Sequence, residues 1–184
     1  MNRFARILAL SLAAVAVFGC ETQDKVDQGG VIVVITDYDL QGLPSVMSAT
    51  GNYPSVASGD ATLIVRNQSR MPNNTTSQLM DVLVEGYEVS FTRGDGGTRV
   101  VPTLTEPVGG LIPIGGTMTQ TGVVLMRQDQ FESSVLQDLR LHGRDTETNS
   151  TVVRLVWHLK FYGKTISGER VETPPISFNL DVTP

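Results

Sequence analysis

From Val153 to Phe161 every second residue is large and apolar: Val153, Leu155, Trp157, Leu159 and Phe161 on one side, with Arg154, His158 and Lys160 on the other. Successive side chains of a strand point to opposite faces, so this pattern demands a sheet with one face in a core and the other in water. A helix, with its period of about 3.6, would scatter the same five residues around its circumference. Ser167-Gly168 then supplies a tight turn, and the alternation returns in Ile176, Phe178, Leu180 and Val182 against Ser177, Asn179 and Asp181. Pro174-Pro175 stand in between and cannot donate to a ladder, which places this returning strand at a sheet edge or at a bulge.

The rest of the chain speaks the same language, with short β-branched and aromatic runs between Gly, Pro, Asn and Asp clusters. Val31 to Ile35 is a continuous apolar run, as in a strand buried on both faces. Asp60 to Arg66 alternates, with Ala61, Leu63 and Val65 on one face. Between Met80 and Arg93 the period breaks, because Met80, Val82 and Val84 are even whereas Tyr87, Val89 and Phe91 are odd. A slip of one residue would turn the core face outward, so a β-bulge is expected at Glu85-Gly86. Gly94 to Gly97 is expected to turn the chain into a strand from Thr98 to Leu104, and Gly115-Gly116 leads into another from Thr117 to Met126. Asp129 with Glu132 resembles a capping box, and Phe131, Val135 and Leu139 recur at helical spacing. These signals predict an all-β fold: an antiparallel sandwich of seven to nine strands with one short helix or helical turn.

Ahead of that body lies a segment of another kind. Arg3 and Arg6 precede an apolar run of twelve residues, Ile7 to Phe18, that ends in Gly19 and Cys20. Such a run is short of the ~20 residues a membrane-spanning helix needs and has the layout of a signal peptide. Val17-Phe18-Gly19-Cys20 resembles the lipobox of bacterial lipoproteins, although Phe18 stands where a small residue is common. The resemblance implies removal of residues 1–19 and a lipid on Cys20, the chain's only cysteine, with the membrane held through that lipid. Glu21 in place of an aspartate implies an outer-membrane rather than an inner-membrane destination in the enterobacterial pattern. Residues 20–30 then form a polar tether, and 31–184 the sandwich domain. The segment from Tyr87 to Gly97 and the closing hairpin from Val152 to Val182 resemble immunoglobulin-like or fibronectin type III-like sandwiches, without a cysteine pair flanking Trp157. A more distant likeness to extracytoplasmic sandwich domains of bacterial lipoproteins brings no activity with it.

The formal charge of −5 becomes −7 once Arg3 and Arg6 leave with the leader, and the remaining basic residues are scattered. That argues against nucleic acid as a partner. His142 and His158 are the chain's two imidazole bases; His158 falls on the solvent face of a strand and His142 in a loop before Gly143, and no Gly-x-Ser-x-Gly elbow accompanies them. No catalytic, cofactor-binding or metal residue is therefore assigned. Asp37 and Asp39 alternate and, with Asp95, are the acids a calcium-dependent or carbohydrate-dependent adhesion module would use, but the spaced Asp/Asn-Gly-Glu loop is missing. Arg93-Gly94-Asp95 spells an integrin-ligand tripeptide where a turn already demands Gly and Asp. The Asn-x-Ser/Thr triplets at Asn67, Asn73, Asn74 and Asn149 mark polar loops, and Arg66 to Gln78 is a long polar connection of the kind that can carry binding. The reading is a non-catalytic, envelope-anchored structural or protein-binding module, with another envelope protein as a possible partner. An adhesion module, or an enzyme with an unrecognised site, is the alternative.

Overall fold

A computed structural model describes residues 30–39, 46–49, 56–67 and 77–184. The leader, Cys20, the tether through residue 29, Met71 and the triplets at Asn73 and Asn74 lie outside the described residues, as does most of the connection expected from Arg66 to Gln78.

Strand β7 (Val153–Thr165) is the axis of the larger sheet, and each of its five alternating apolar residues is buried. It pairs antiparallel with β4 (Val82–Arg93) on one side and with β8 (Arg170–Glu172) and β9 (Ile176–Thr183) on the other. Beyond β4 lies β5 (Leu104–Ile112), and beyond β9 lies β2 (Val46–Ser48). The second sheet has the order β1-β3-β6, built from β1 (Val31–Asp39), β3 (Val56–Asn67) and β6 (Thr117–Arg127). Nine strands among the described residues thus form the two layers of an all-β sandwich. Trp157 sits at its centre, edge-on to Phe91 at 6.1 Å and to Phe178 at 5.1 Å, and Tyr38 of β1 stacks on Phe178 across the layers.

Both anticipated irregularities are present. The register of β4 slips between Val84 and Gly86 against both neighbours, so the buried side chains change from Val82 and Val84 to Tyr87, Val89 and Phe91. Gly86 is required there, because a Cβ would lie 2.7 Å from the Glu106 carbonyl oxygen and against the Tyr162 hydroxyl. The slip turns Tyr87 inward, where its hydroxyl accepts a hydrogen bond from the Val124 N–H of the other sheet at 2.7 Å. Opposite Phe161 the prolines split the returning strand into β8 and β9, whose registers against β7 differ by one residue. Thr173 keeps the ladder closed: its N–H donates to the Phe161 carbonyl and its hydroxyl accepts from the Phe161 N–H, both at 2.9 Å.

Other expectations are corrected. Residues 98–103 are not a strand; the strand after β4 is β5, which contains Pro107 and Gly109-Gly110. Pro107 is accommodated opposite the β4 bulge, on an outer strand of its sheet. The single short helix is two, α1 (Gln128–Phe131) and α2 (Ser134–His142), interrupted at Glu132-Ser133, and they bury Phe131, Val135, Leu136 and Leu139. The first helix is closed not by Asp129 and Glu132 but by Gln130, whose Oε1 accepts from the Arg127 N–H at 2.8 Å. The sandwich is also not wholly antiparallel, since β2 runs parallel to β9. No hairpin joins those two strands, so nothing forces the antiparallel sense. Val31 and Val33 are buried, whereas Ile32, Val34 and Ile35 are only half-buried, so β1 has one core face. Met80 belongs to a 3-10 turn (Gln78–Met80) before β4 rather than to the strand.

Gly163 of β7 faces Val84 beside the bulge, and a Cβ there would strike the Leu83 carbonyl oxygen. Gly163→Ala is expected to lower stability by about 1–3 kcal/mol through overpacking. Gly109→Ala, where a Cβ meets nothing within 4 Å, is expected to be tolerated; urea unfolding of the two variants measures the difference.

Candidate functional site

The strand ends define two poles. At one, β4 finishes with Arg93, β7 begins with Val153, and α2 and the segment 143–152 lie between β6 and β7. At the other, β1 begins with Val31, β4 with Val82 and β6 with Thr117, while β5 and β7 end. Most of the chemically interesting residues gather at the first pole.

Asp145 is its centre, with a fully buried side chain. Four donors converge on it: Arg93 Nη2 at 3.0 Å, Thr148 N at 2.9 Å and Thr148 Oγ1 at 2.7 Å on Oδ2, and Arg99 Nη2 at 2.9 Å on Oδ1. Arg93, 1% exposed, also grips Asp95 with two bonds of 2.7 Å through Nε and Nη2. Asp95 in turn accepts from the N–H groups of Gly97 and Arg154. Arg99 reaches Asp138 of α2 at 2.8 Å, and Glu147 accepts from the Thr98 N–H and hydroxyl. Gln130 adds a bond from Nε2 to the Pro102 carbonyl at 2.7 Å. The loop after β4, helix α2 and the 145–150 turn are therefore stitched together by charge-assisted bonds, which are stronger than neutral ones.

Burial alone would push the Asp145 carboxyl up, but the hydrogen bonds from Thr148 and Arg93 outweigh it and hold it far below the usual carboxylate range. Asp95 is lowered in the same way, its burial outweighed by the Arg93 bonds. Asp138 is lowered by the Thr146 hydroxyl and Arg99, and Glu147 chiefly by Thr98.

The residues singled out in the sequence fare differently. Asp95 belongs to this cluster, and Arg93-Gly94-Asp95 is a clamp closed on itself, its arginine spent inside the fold. Asp37 and Asp39 lie on β1 of the other sheet, both exposed and not brought together with Asp95. Among the described residues no three His, Cys, Asp or Glu side chains gather as a metal ion would require. His142 is the exposed last residue of α2, followed by Gly143 in the left-handed conformation that ends the helix. Asn149 is likewise left-handed and accepts from Arg144, so it shapes the 145–150 turn.

His158 stands on the outer face of the larger sheet, as expected, with Nε2 at 2.9 Å from Thr92 Oγ1 and Nδ1 at 2.7 Å from Ser177 Oγ. That is the contact of a nucleophile with its base. The strand N–H groups around it are consumed by the β4-β7-β9 ladders, however, and the ring bonds to two hydroxyls rather than to an orienting carboxylate. The arrangement is a cross-strand hydrogen-bond row without the other parts of an acyl-transfer site.

Arg99, Asp138, Asp145 and Glu147 are not singled out by any local pattern of residues. Asp145-Thr146-Glu147-Thr148 does carry the Asp and Thr chemistry of a turn. Nothing local links Asp145 to an arginine 52 residues earlier.

No protein-family model matches the chain, and no curated protein matches it. Among solved structures it is similar to a Northeast Structural Genomics Consortium target determined by X-ray diffraction, at 12% identity over 84% of this chain and 88% of that one, with a TM-score of 0.37. It is also similar to an Arabidopsis thaliana protein determined in solution, at 13% identity over 83% and 80%, with a TM-score of 0.33. Likenesses at that level carry neither fold nor function across.

Removing one partner from a buried ion pair strands the other charge, at a cost of about 3–5 kcal/mol. Asp145→Ala is expected to lose that much stability in urea at pH 7. Because the folded carboxyls lie below their ordinary values near ~4, their stabilisation is complete above about pH 5 and is lost as pH falls through ~4 toward the lowered values. Thermal unfolding should fall steeply over that window in the parent chain and less steeply in Asp145→Ala.

Proposed function

We propose that this chain is a lipid-anchored protein of a bacterial envelope whose sandwich serves as a non-catalytic structural or protein-binding module. The observation that carries the proposal is Cys20, the chain's one cysteine, placed directly after a positively started apolar run too short to span a bilayer. No helix among the described residues is long and apolar enough to cross a membrane. In this reading the lipid sits in the outer membrane more readily than in the inner, on the strength of Glu21.

The ionic pole supports the binding half of the proposal by being rigid and by what surrounds it. Val100, beside Arg99, is 50% exposed, and Leu141, one helical turn beyond Asp138, is 63% exposed. Apolar side chains next to a fixed Arg-carboxylate pair are what a protein partner can bury without ordering the surface first. His158 with Ser177 does not favour the enzymatic alternative, for the reasons given by its surroundings.

Mass spectrometry of the membrane fraction is expected to find an acylated Cys20 at the N-terminus, and Cys20→Ser to remain unprocessed and unacylated. An intact leader carrying an unmodified sulfur in soluble extract would refute the anchor. Crosslinking in the envelope is expected to capture a protein partner with the parent chain and several-fold less of it with Val100→Asp/Leu141→Asp.

A further inference from the structure

The pole opposite the ionic cluster is where the chain enters the sandwich, and it differs in chemistry. Gly30 lies against Met80 of the 3-10 turn, so close that a Cβ would come within 2.8 Å of the methionine methyl, and β1 starts at the next residue. Three connections meet there: the 3-10 turn, the β5–β6 turn at 113–116 and the β7–β8 turn at 166–169. Asp81 ties them together. Its side chain accepts from the Ile114 N–H at 2.9 Å, its carbonyl accepts from the Ile166 N–H at 2.9 Å, and its N–H donates to Gln78 at 3.1 Å. The Leu79 carbonyl accepts from the Ser167 N–H at 3.1 Å, which locks two of the turns side by side.

Held in this way, the turns display apolar tips. Leu79 is 57% exposed and Ile166 51%, and on the adjoining outer face Leu111, 53% exposed, lies opposite half-buried Leu83. The nearby ionic groups show no excess of cations: Lys164 pairs with Glu85 at 2.7 Å, and beside Arg170 the chain carries Glu169 and Glu172, with Asp81 at the same pole. An apolar tip on a rigid base, without a basic rim, is suited to an uncharged apolar medium rather than to an anionic surface.

We propose that this pole rests on the lipid bilayer, with Leu79 and Ile166 entering the interfacial region and Leu111 at its margin. The proposal rests on the lipid-anchor reading of Cys20 and adds an orientation to it. The argument for lipid as the occupant is the length of chain outside the described residues and where it ends. Gly30 follows Cys20 by ten positions, a reach of about 16–19 Å as a coil and about 35 Å at full stretch. The apolar pole is therefore confined near the bilayer, where even weak insertion is favoured by effective concentration. The ionic pole, a thirteen-residue strand away, lies roughly 40 Å farther out. Each half-exposed aliphatic tip is expected to contribute up to about tenfold in the docked-to-undocked ratio. With no basic excess at this pole, docking gains nothing from anionic lipid.

The test uses the full-length acylated chain in phosphatidylcholine vesicles. With Cys20 acylated, a second cysteine is the only free thiol, so Ile166→Cys and Thr146→Cys, at opposite poles, can each carry a fluorophore. Brominated phosphatidylcholine is expected to quench the label at 166 and not at 146, and Leu79→Asp is expected to reduce quenching at 166 about tenfold. Vesicle co-sedimentation and the mass of the N-terminal peptide report the anchor separately. An acylated, sedimenting chain with no quenching at 166 overturns the docking and leaves the anchor standing, as does protection of 166 by a second copy or another protein instead of lipid. Quenching that requires anionic lipid overturns the apolar basis. A soluble chain with an unmodified Cys20 overturns both proposals.

Discussion

Strand β7 has partners on both sides and a core beneath it, so its period of two fixes the phase of everything that pairs with it. A shift of one residue would move Leu155, Trp157 and Leu159 from the interior into water and bring Arg154, His158 and Lys160 into the core. Burying an unpaired charge costs far more than a bulge. The neighbouring strands accordingly absorb every mismatch themselves, β4 at Glu85-Gly86 and the β8–β9 strand at its paired prolines. Each irregularity puts a side chain to use. Tyr87 reaches the opposite sheet, and Thr173 replaces the ladder bonds the prolines cannot make.

The two ends of the sandwich are each organised by one aspartate with unlike consequences. Asp145 collects two arginines and a threonine and makes its end ionic and fully bonded. Asp81 collects backbone N–H groups and leaves aliphatic tips facing outward. Since the bonds of Asp145, and the side-chain and backbone bonds of Asp81, order the loops around them before any partner arrives, both ends are prepared surfaces. Their contrast gives the molecule an axis, from the chain entry at Gly30 to the Arg99–Asp138 pair at the far end.

The outer face of the larger sheet fits that picture. Lys160 bridges Glu88 and Glu172, Lys164 pairs with Glu85, and Arg154 with Asp181, so cross-strand charges are matched along the strands. Such exposed pairs add little stability. They keep the face wetted, and leave the two poles as the regions with distinct chemistry.

The residues by themselves determined the core strands β1, β3, β4, β6, β7 and β9, the inward set of β7, the bulge at Glu85-Gly86 and the break at Pro174-Pro175, because alternation, glycine and proline act within a few residues along the chain. They also determined the candidate anchor at Cys20, which depends only on a charged start, an apolar run and a sulfur. Where local signals were ambiguous, at residues 98–103 and at the junction of the two helices, tertiary packing decided against them. Only the folded arrangement placed Arg93 and Arg99 on Asp145, set β2 parallel to β9, and gathered Leu79, Ile166 and Asp81 beside Gly30. Those contacts join residues dozens of positions apart, and a charge or an exposed leucine in a sequence carries no record of which distant partner, or which end of the molecule, folding will assign to it.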